Sequence, residues 1–98
     1  MKIIYSERFQ EEIGEIFNFI AKDSIERAII FYNELIIKTQ KIKDMPYSFR
    51  KNLDINNKNV RDLIFKGYVI PYHINNETST ITILFIYKEN QPKIDFKE

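Results

Sequence analysis

Residues 60–74 read Val60-Arg61-Asp62-Leu63-Ile64-Phe65-Lys66-Gly67-Tyr68-Val69-Ile70-Pro71-Tyr72-His73-Ile74. Two apolar, β-branched and aromatic runs flank a Lys66-Gly67 pair, which predicts two antiparallel strands joined by a tight turn. Period-two alternation puts Arg61, Leu63 and Phe65 on one face of the first strand. Tyr68, Ile70, Tyr72 and Ile74 share a face of the second. Pro71 has no amide to donate to a ladder, so it predicts an edge strand or a bulge. Asn75-Asn76-Glu77-Thr78 is a further turn, and Ser79 to Tyr87 reads as a third strand. The segment from Lys88 to Glu98 is polar around Ile94 and Phe96 and reads as a tail, loosely held or bound by a partner.

Upstream, residues 46–59 are polar and carry Asn52, Asn56, Asn57 and Asn59, the composition of a loop with turns. Pro46 closes whatever helix precedes it. That helix begins near Asp23, whose spacing to Glu26 resembles a capping box, and runs to about Lys43. Ala28, Phe31, Tyr32, Leu35 and Ile42 form its apolar stripe, widened by Ile25, Ile29 and Ile36. Ile30 and Ile37 fall outside it; they either widen the core face or form a docking surface for a partner. An earlier helix starts at Ser6 as N-cap, with Glu7 in its first turn and Phe9, Ile13, Ile16, Phe17 and Ile20 on one side. Lys2 to Tyr5 is a short strand. The predicted fold class is α+β: an N-terminal strand, an antiparallel helical hairpin, then a three-stranded antiparallel meander, with residues 1–98 as one domain.

With 98 residues, a hydrophobic fraction of 44% and a charged fraction of 30%, the chain has ordinary globular composition. No apolar run is long enough to span a bilayer, and the first residues lack the pattern of a signal peptide. A cytoplasmic protein with no membrane partner is expected. There is no cysteine and one histidine, His73, which has no ligand-spaced neighbour, so no metal is expected. Two glycines, Gly14 and Gly67, cannot make a phosphate-cradling loop, which excludes dinucleotide and nucleoside-triphosphate chemistry and leaves no cofactor implied. The net charge of +1 conceals an asymmetry. Residues 1–37 are acidic on balance, whereas 38–66 concentrate Lys38, Lys41, Lys43, Arg50, Lys51, Lys58, Arg61 and Lys66 against three acids. Such a segment either attracts phosphate or an acidic partner, or serves only as a solvated loop.

Arg61, Lys66 and the tyrosines at 68, 72 and 87 are the groups the meander offers for chemistry. They could hold an RNA strand and stabilise charge while its 2′-hydroxyl attacks the adjacent phosphate, without metal. The same residues admit a plainer reading, in which the tyrosines fill a core and Arg61 pairs with a carboxylate.

Arg61-Asp62-Leu63, then Gly67-Tyr68-Val69-Ile70-Pro71-Tyr72, resembles the Arg-x-Leu…Gly-Tyr-x-Ile-x-Tyr segment of the RelE/ParE toxin superfamily. Ile81 to Tyr87 is similar to that family's last strand. The resemblance implies a bacterial type II toxin, neutralised by a small antitoxin and contacting operator DNA only through the antitoxin complex. RelE-like members cleave messenger RNA on the ribosome, and ParE-like members inhibit DNA gyrase. RNA-cleaving relatives often carry Arg where this chain has Val69, and a basic or His residue after the last strand, where it has Tyr87-Lys88-Glu89. Together with the long hairpin, this favours the ParE-like branch. A RelE-like activity would rest on Arg61, Lys66, Tyr87 and Lys88 as catalytic groups. Arg50, Lys51, Arg61 and Lys66 are the expected target- or phosphate-binding residues, and Ile30, Ile37 and Tyr72 the expected antitoxin contacts. A third reading is a non-toxic member that only binds antitoxin and operator.

Overall fold

The computed structural model describes residues 1–89. In chain order these form β1 (Lys2–Tyr5), α1 (Glu7–Ala21), α2 (Ile25–Lys41), a 3-10 turn (Ile42–Asp44), β2 (Arg50–Lys51), β3 (Val60–Phe65), β4 (Tyr68–Asn75), β5 (Thr80–Ile83) and β6 (Tyr87–Lys88). Ser6 caps α1 as its position predicts: its hydroxyl accepts from the Phe9 amide at 3.0 Å and donates to the Leu84 carbonyl at 2.5 Å. The cap of α2 is Ser24, which accepts from the Arg27 amide at 3.2 Å. The expected cap, Asp23, is instead occupied in closing α1, its amide bonded to the Ile20 carbonyl.

The strands form one sheet in the order β1-β5-β4-β3-β2, with β6 also on β4. β1 joins β5 in parallel, with Ile3 opposite Ile81, so the N-terminal strand extends the meander at its far edge. Lys66 (φ 47°) and Gly67 (φ 81°) both lie in the left-handed region, the requirement of the tight hairpin turn between β3 and β4. The loop after α2 is not wholly irregular, because Arg50 and Lys51 pair with Asp62 and Arg61.

Pro71 is not on an edge strand; β4 is interior and Pro71 faces the break between β5 and β6. Tyr72 pairs with Ile83 and Val69 with Tyr87, so Leu84, Phe85 and Ile86 oppose only Ile70 and Pro71. That extra residue is a β-bulge, which divides the expected continuous third strand into two. The Leu84 amide still reaches the Pro71 carbonyl at 2.9 Å. The Ile86 amide, a donor left without a strand acceptor by the bulge, is taken by the Glu12 carboxylate at 3.1 Å. Helix α1 thus satisfies the bulge at two points, through Ser6 and Glu12. Lys88, expected to begin the tail, pairs with Tyr68; the tail beyond Glu89 lies outside the described residues.

Both helices cover one face of the sheet. Phe9 and Ile13 of α1 and Phe31 and Leu35 of α2 meet Leu63, Phe65, Ile70, Tyr72, Ile74, Ile81 and Ile83 in the core. Phe31 seats α2 over the hairpin, its ring 5.4 Å from that of Phe65 and 5.6 Å from that of Tyr68. Burial of each such side chain contributes about 1.5–3 kcal/mol.

Candidate functional site

Strand register sorts the candidate residues between two faces. Arg61 pairs with Tyr72 and with Lys51, which places all three on the helix-covered face. Arg50, Asp62, Pro71, Val69 and Tyr87 are in register on the opposite face.

On that outer face Asp62 is buried. Its carboxylate accepts from Asn52 Nδ2 at 2.7 Å and from Arg50 Nε at 3.3 Å. Asn52 Oδ1 in turn accepts the amides of Asp54 and Ile55, so the carboxylate pins the loop before β3. Burial, and then the Asp62 charge, push the Tyr87 phenol above its ordinary value, opposed by Arg50 and reinforced by Glu89. The phenol therefore stays protonated at neutral pH and cannot act there as a base.

The four expected catalytic side chains do not gather round one point. Arg61 lies near the start of β3 and Lys66 in the turn just past its end, about 17 Å apart along an extended chain. Lys66 is held by Glu34 of α2, with Nζ 2.9 Å from the carboxylate. Tyr87 opposes Val69 on the outer face, and Lys88 is exposed opposite Tyr68. Arg61 does not pair with a carboxylate: its Nη1 donates to the Tyr47 and Phe49 carbonyls at 3.3 and 3.1 Å. Among the described residues no cluster of His, Asp and Glu could hold a metal ion, and His73 stands half-buried without one.

Of the expected phosphate-binding residues, only Lys51 and Arg61 come together, in a cleft that Lys58 and Tyr47 also line. Arg50 is tied to Asp62 across the sheet and Lys66 to Glu34. Lys58 was visible in the sequence only as part of the basic segment, and Tyr47 carried no signal there, because both lie in loops without periodicity.

Of the expected antitoxin contacts, Ile30 and Ile37 stand on the solvent side of α2, each 55% exposed and two turns apart. Tyr72 cannot join them. It is fully buried, and its hydroxyl donates to the Pro46 carbonyl at 2.6 Å. Burial raises its pKa far above the phenol range, with Arg61 opposing and Asp62 adding to the shift.

A family model described as the ParE toxin of the type II toxin–antitoxin system parDE matches residues 3–92. The chain belongs to the ParE toxin family. It is thus a type II toxin of the RelE/ParE superfamily, as the meander motif implied. Among solved structures, this ParE-family toxin resembles a chain of the chromosomal ParDE toxin–antitoxin system of P. aeruginosa, with a TM-score of 0.72 at 13% identity, covering 90% of this chain and 95% of that one. The isolated RelE toxin of E. coli is similar at a TM-score of 0.63 and 14% identity, over 94% of this chain and 87% of that one. No curated protein sequence matches the chain. At such identities the two structures establish the shared α+β fold. No helix among the described residues is long and apolar enough to cross a membrane.

Proposed function

We propose that this ParE-family toxin inhibits DNA gyrase by binding, performs no chemistry of its own, and acts in the cytoplasm under the control of a cognate antitoxin. The observation that carries this reading is the dispersal of Arg61, Lys66, Tyr87 and Lys88. Without a convergent acid, base and phosphate clamp, cleavage of RNA has nothing to move the 2′-hydroxyl proton or stabilise the charge that develops. Val69, where RNA-cleaving relatives often carry Arg, is fully buried and adds no charge to the outer face. The kinship with a ParDE complex supports an antitoxin partner. Ile30 and Ile37 suit an amphipathic helix laid along α2, and operator DNA would be contacted through that complex.

Purified toxin should block supercoiling by gyrase or trap it on cleaved DNA at micromolar concentration. Gyrase that works unhindered would reject the proposal. Discrete cleavage of a transcript in a translation extract would move the protein to the messenger-RNA endonucleases. Expression without any slowing of growth would mark it as a non-toxic, antitoxin-binding member.

A further inference from the structure

At the end of the sheet remote from the Lys66-Gly67 turn lies an open cleft that the proposed function leaves without a role. Lys51 of β2, Lys58 and Asn59 of the loop before β3, Arg61 of β3, and His73 and Asn75 of β4 line it, with Tyr47 as a wall. Glu77 is the one carboxylate at its rim.

Among the described residues, neither Lys51 nor Lys58 has an ion-pair partner. Arg61 is satisfied only by neutral carbonyls, and its Nε is buried with no partner at all. The neighbouring Asp62 cannot neutralise it, because that carboxylate lies on the opposite face and is spent on Arg50 and Asn52. Three cations therefore share one cleft with a single exposed acid.

The neutral groups there have the same bias. Asn59 Oδ1 is used by the Tyr47 hydroxyl, and Asn75 Oδ1 by the amides of Glu77 and Thr78. Each asparagine then keeps its amino group to offer, so the cleft is rich in donors and poor in acceptors. Its aromatic wall is built in place. The Tyr47 hydroxyl donates to Asn59 and accepts from Asn76 Nδ2 at 2.9 Å, and the Arg61 guanidinium lies 5.2 Å from the ring centroid. Tyr47 nonetheless remains 43% exposed.

We propose that this cleft binds a nucleoside phosphate. The phosphoryl group sits between Lys51 and Lys58 within the field of Arg61, taking hydrogen bonds from the free amino groups, and the base stacks on Tyr47. A free nucleotide and one unit of a nucleic-acid strand offer this same chemistry. The site is independent of the toxin's target and would persist if gyrase proved not to be that target.

The test uses the full chain, titrated at low salt with inorganic phosphate, adenosine monophosphate and a fluorescein-labelled single-stranded RNA octamer, by calorimetry and anisotropy. The paired substitution Lys51→Gln with Lys58→Gln alters two exposed side chains that make no side-chain hydrogen bond or ion pair among the described residues, and thermal melting confirms that the variant folds. Lys22→Gln with Lys38→Gln removes the same charge elsewhere. The cleft pair should weaken nucleotide or RNA binding at least tenfold and the control pair less than twofold. For the RNA, each lysine lost should lower the salt slope by about 1. Tyr47→Leu should weaken the nucleoside probes and spare inorganic phosphate. Tight binding of the mononucleotide identifies a free nucleotide as ligand, and binding of the octamer alone identifies a strand. Absence of binding by every probe up to millimolar concentration overturns the proposal. Equal losses in the two lysine pairs overturn it too, and a Tyr47 variant that binds every probe like the wild type overturns its nucleoside half.

Discussion

Tyr72→Phe isolates one buried hydroxyl and gives two measurable effects that pull against each other. The ring is fully buried, so phenylalanine fills the same space, and only the 2.6 Å bond to the Pro46 carbonyl is lost. Losing that bond and leaving the carbonyl short of a partner costs about 1–2 kcal/mol. At about 4–8 °C per kcal/mol for a domain of this size, Tm at pH 7 should fall by roughly 4–16 °C. The second effect appears in alkali. Burial holds the folded-state phenol well above its ordinary value, whereas the unfolded chain ionises near pH 10. Above pH 10 the native state therefore binds more protons than the unfolded one, so stability is intact below that pH and declines as pH rises. By pH 11 the wild type loses about 1.4 kcal/mol through Tyr72 alone, a loss the variant does not suffer. The stability curves of the two proteins, from urea unfolding between pH 7 and 11.5, should converge near pH 11. Tyr68 and Tyr87 are also raised by burial but contribute to both curves and cancel in the difference. A gap between wild type and variant that stays constant with pH would refute the burial argument, and no gap at pH 7 would refute the role of the hydrogen bond.

Three other substitutions probe separate parts of the argument. Gly14→Ala places a methyl group where no atom beyond the local helix backbone lies within 4 Å, so it should gain the helix-propensity difference of about 0.5–1 kcal/mol and raise Tm by several degrees on calorimetry. Asp62→Ala leaves Asn52 Nδ2 buried without its acceptor and should cost about 2–4 kcal/mol. The amides of Asp54 and Ile55 should then exchange with solvent much faster by hydrogen-exchange NMR. Ile30→Glu with Ile37→Glu changes exposed positions and should leave stability within about 0.5 kcal/mol, while lowering affinity for the cognate antitoxin at least tenfold by calorimetry. Unchanged antitoxin binding would remove the outer side of α2 from the interface.

Local chemistry made most of the elements legible. The hydroxyl of Ser6, the isoleucine and phenylalanine spacing of both helices, and the positive-φ turn at Lys66-Gly67 each act within a few residues of chain. Pro71 was informative for the same reason: a missing amide must leave a gap in some ladder. Which ladder it disturbs depends on β5, β6 and α1, and nothing within ten residues of Pro71 tells of Glu12.

The candidate site was legible only as a list of cations. Arg50, Lys51, Arg61 and Lys66 stand close along the chain, yet pairing divides them between two faces and two ends of the sheet, with Asp62 and Glu34 claiming two of them. Tyr72, an apolar-face residue by its own alternation, became a core residue once both helices covered that face.

Amino-acid order alone therefore settled the chain's class and most of its succession of helices and strands, because those follow from short-range sterics, hydrogen bonding and burial period, while its kinship with the type II toxins rested on the resemblance of its meander motif. Three-dimensional packing decided which charges are neutralised and which remain free to meet a ligand. Coulomb energy and desolvation depend on distances through space, and strand pairing sets those distances between residues that the chain itself keeps apart.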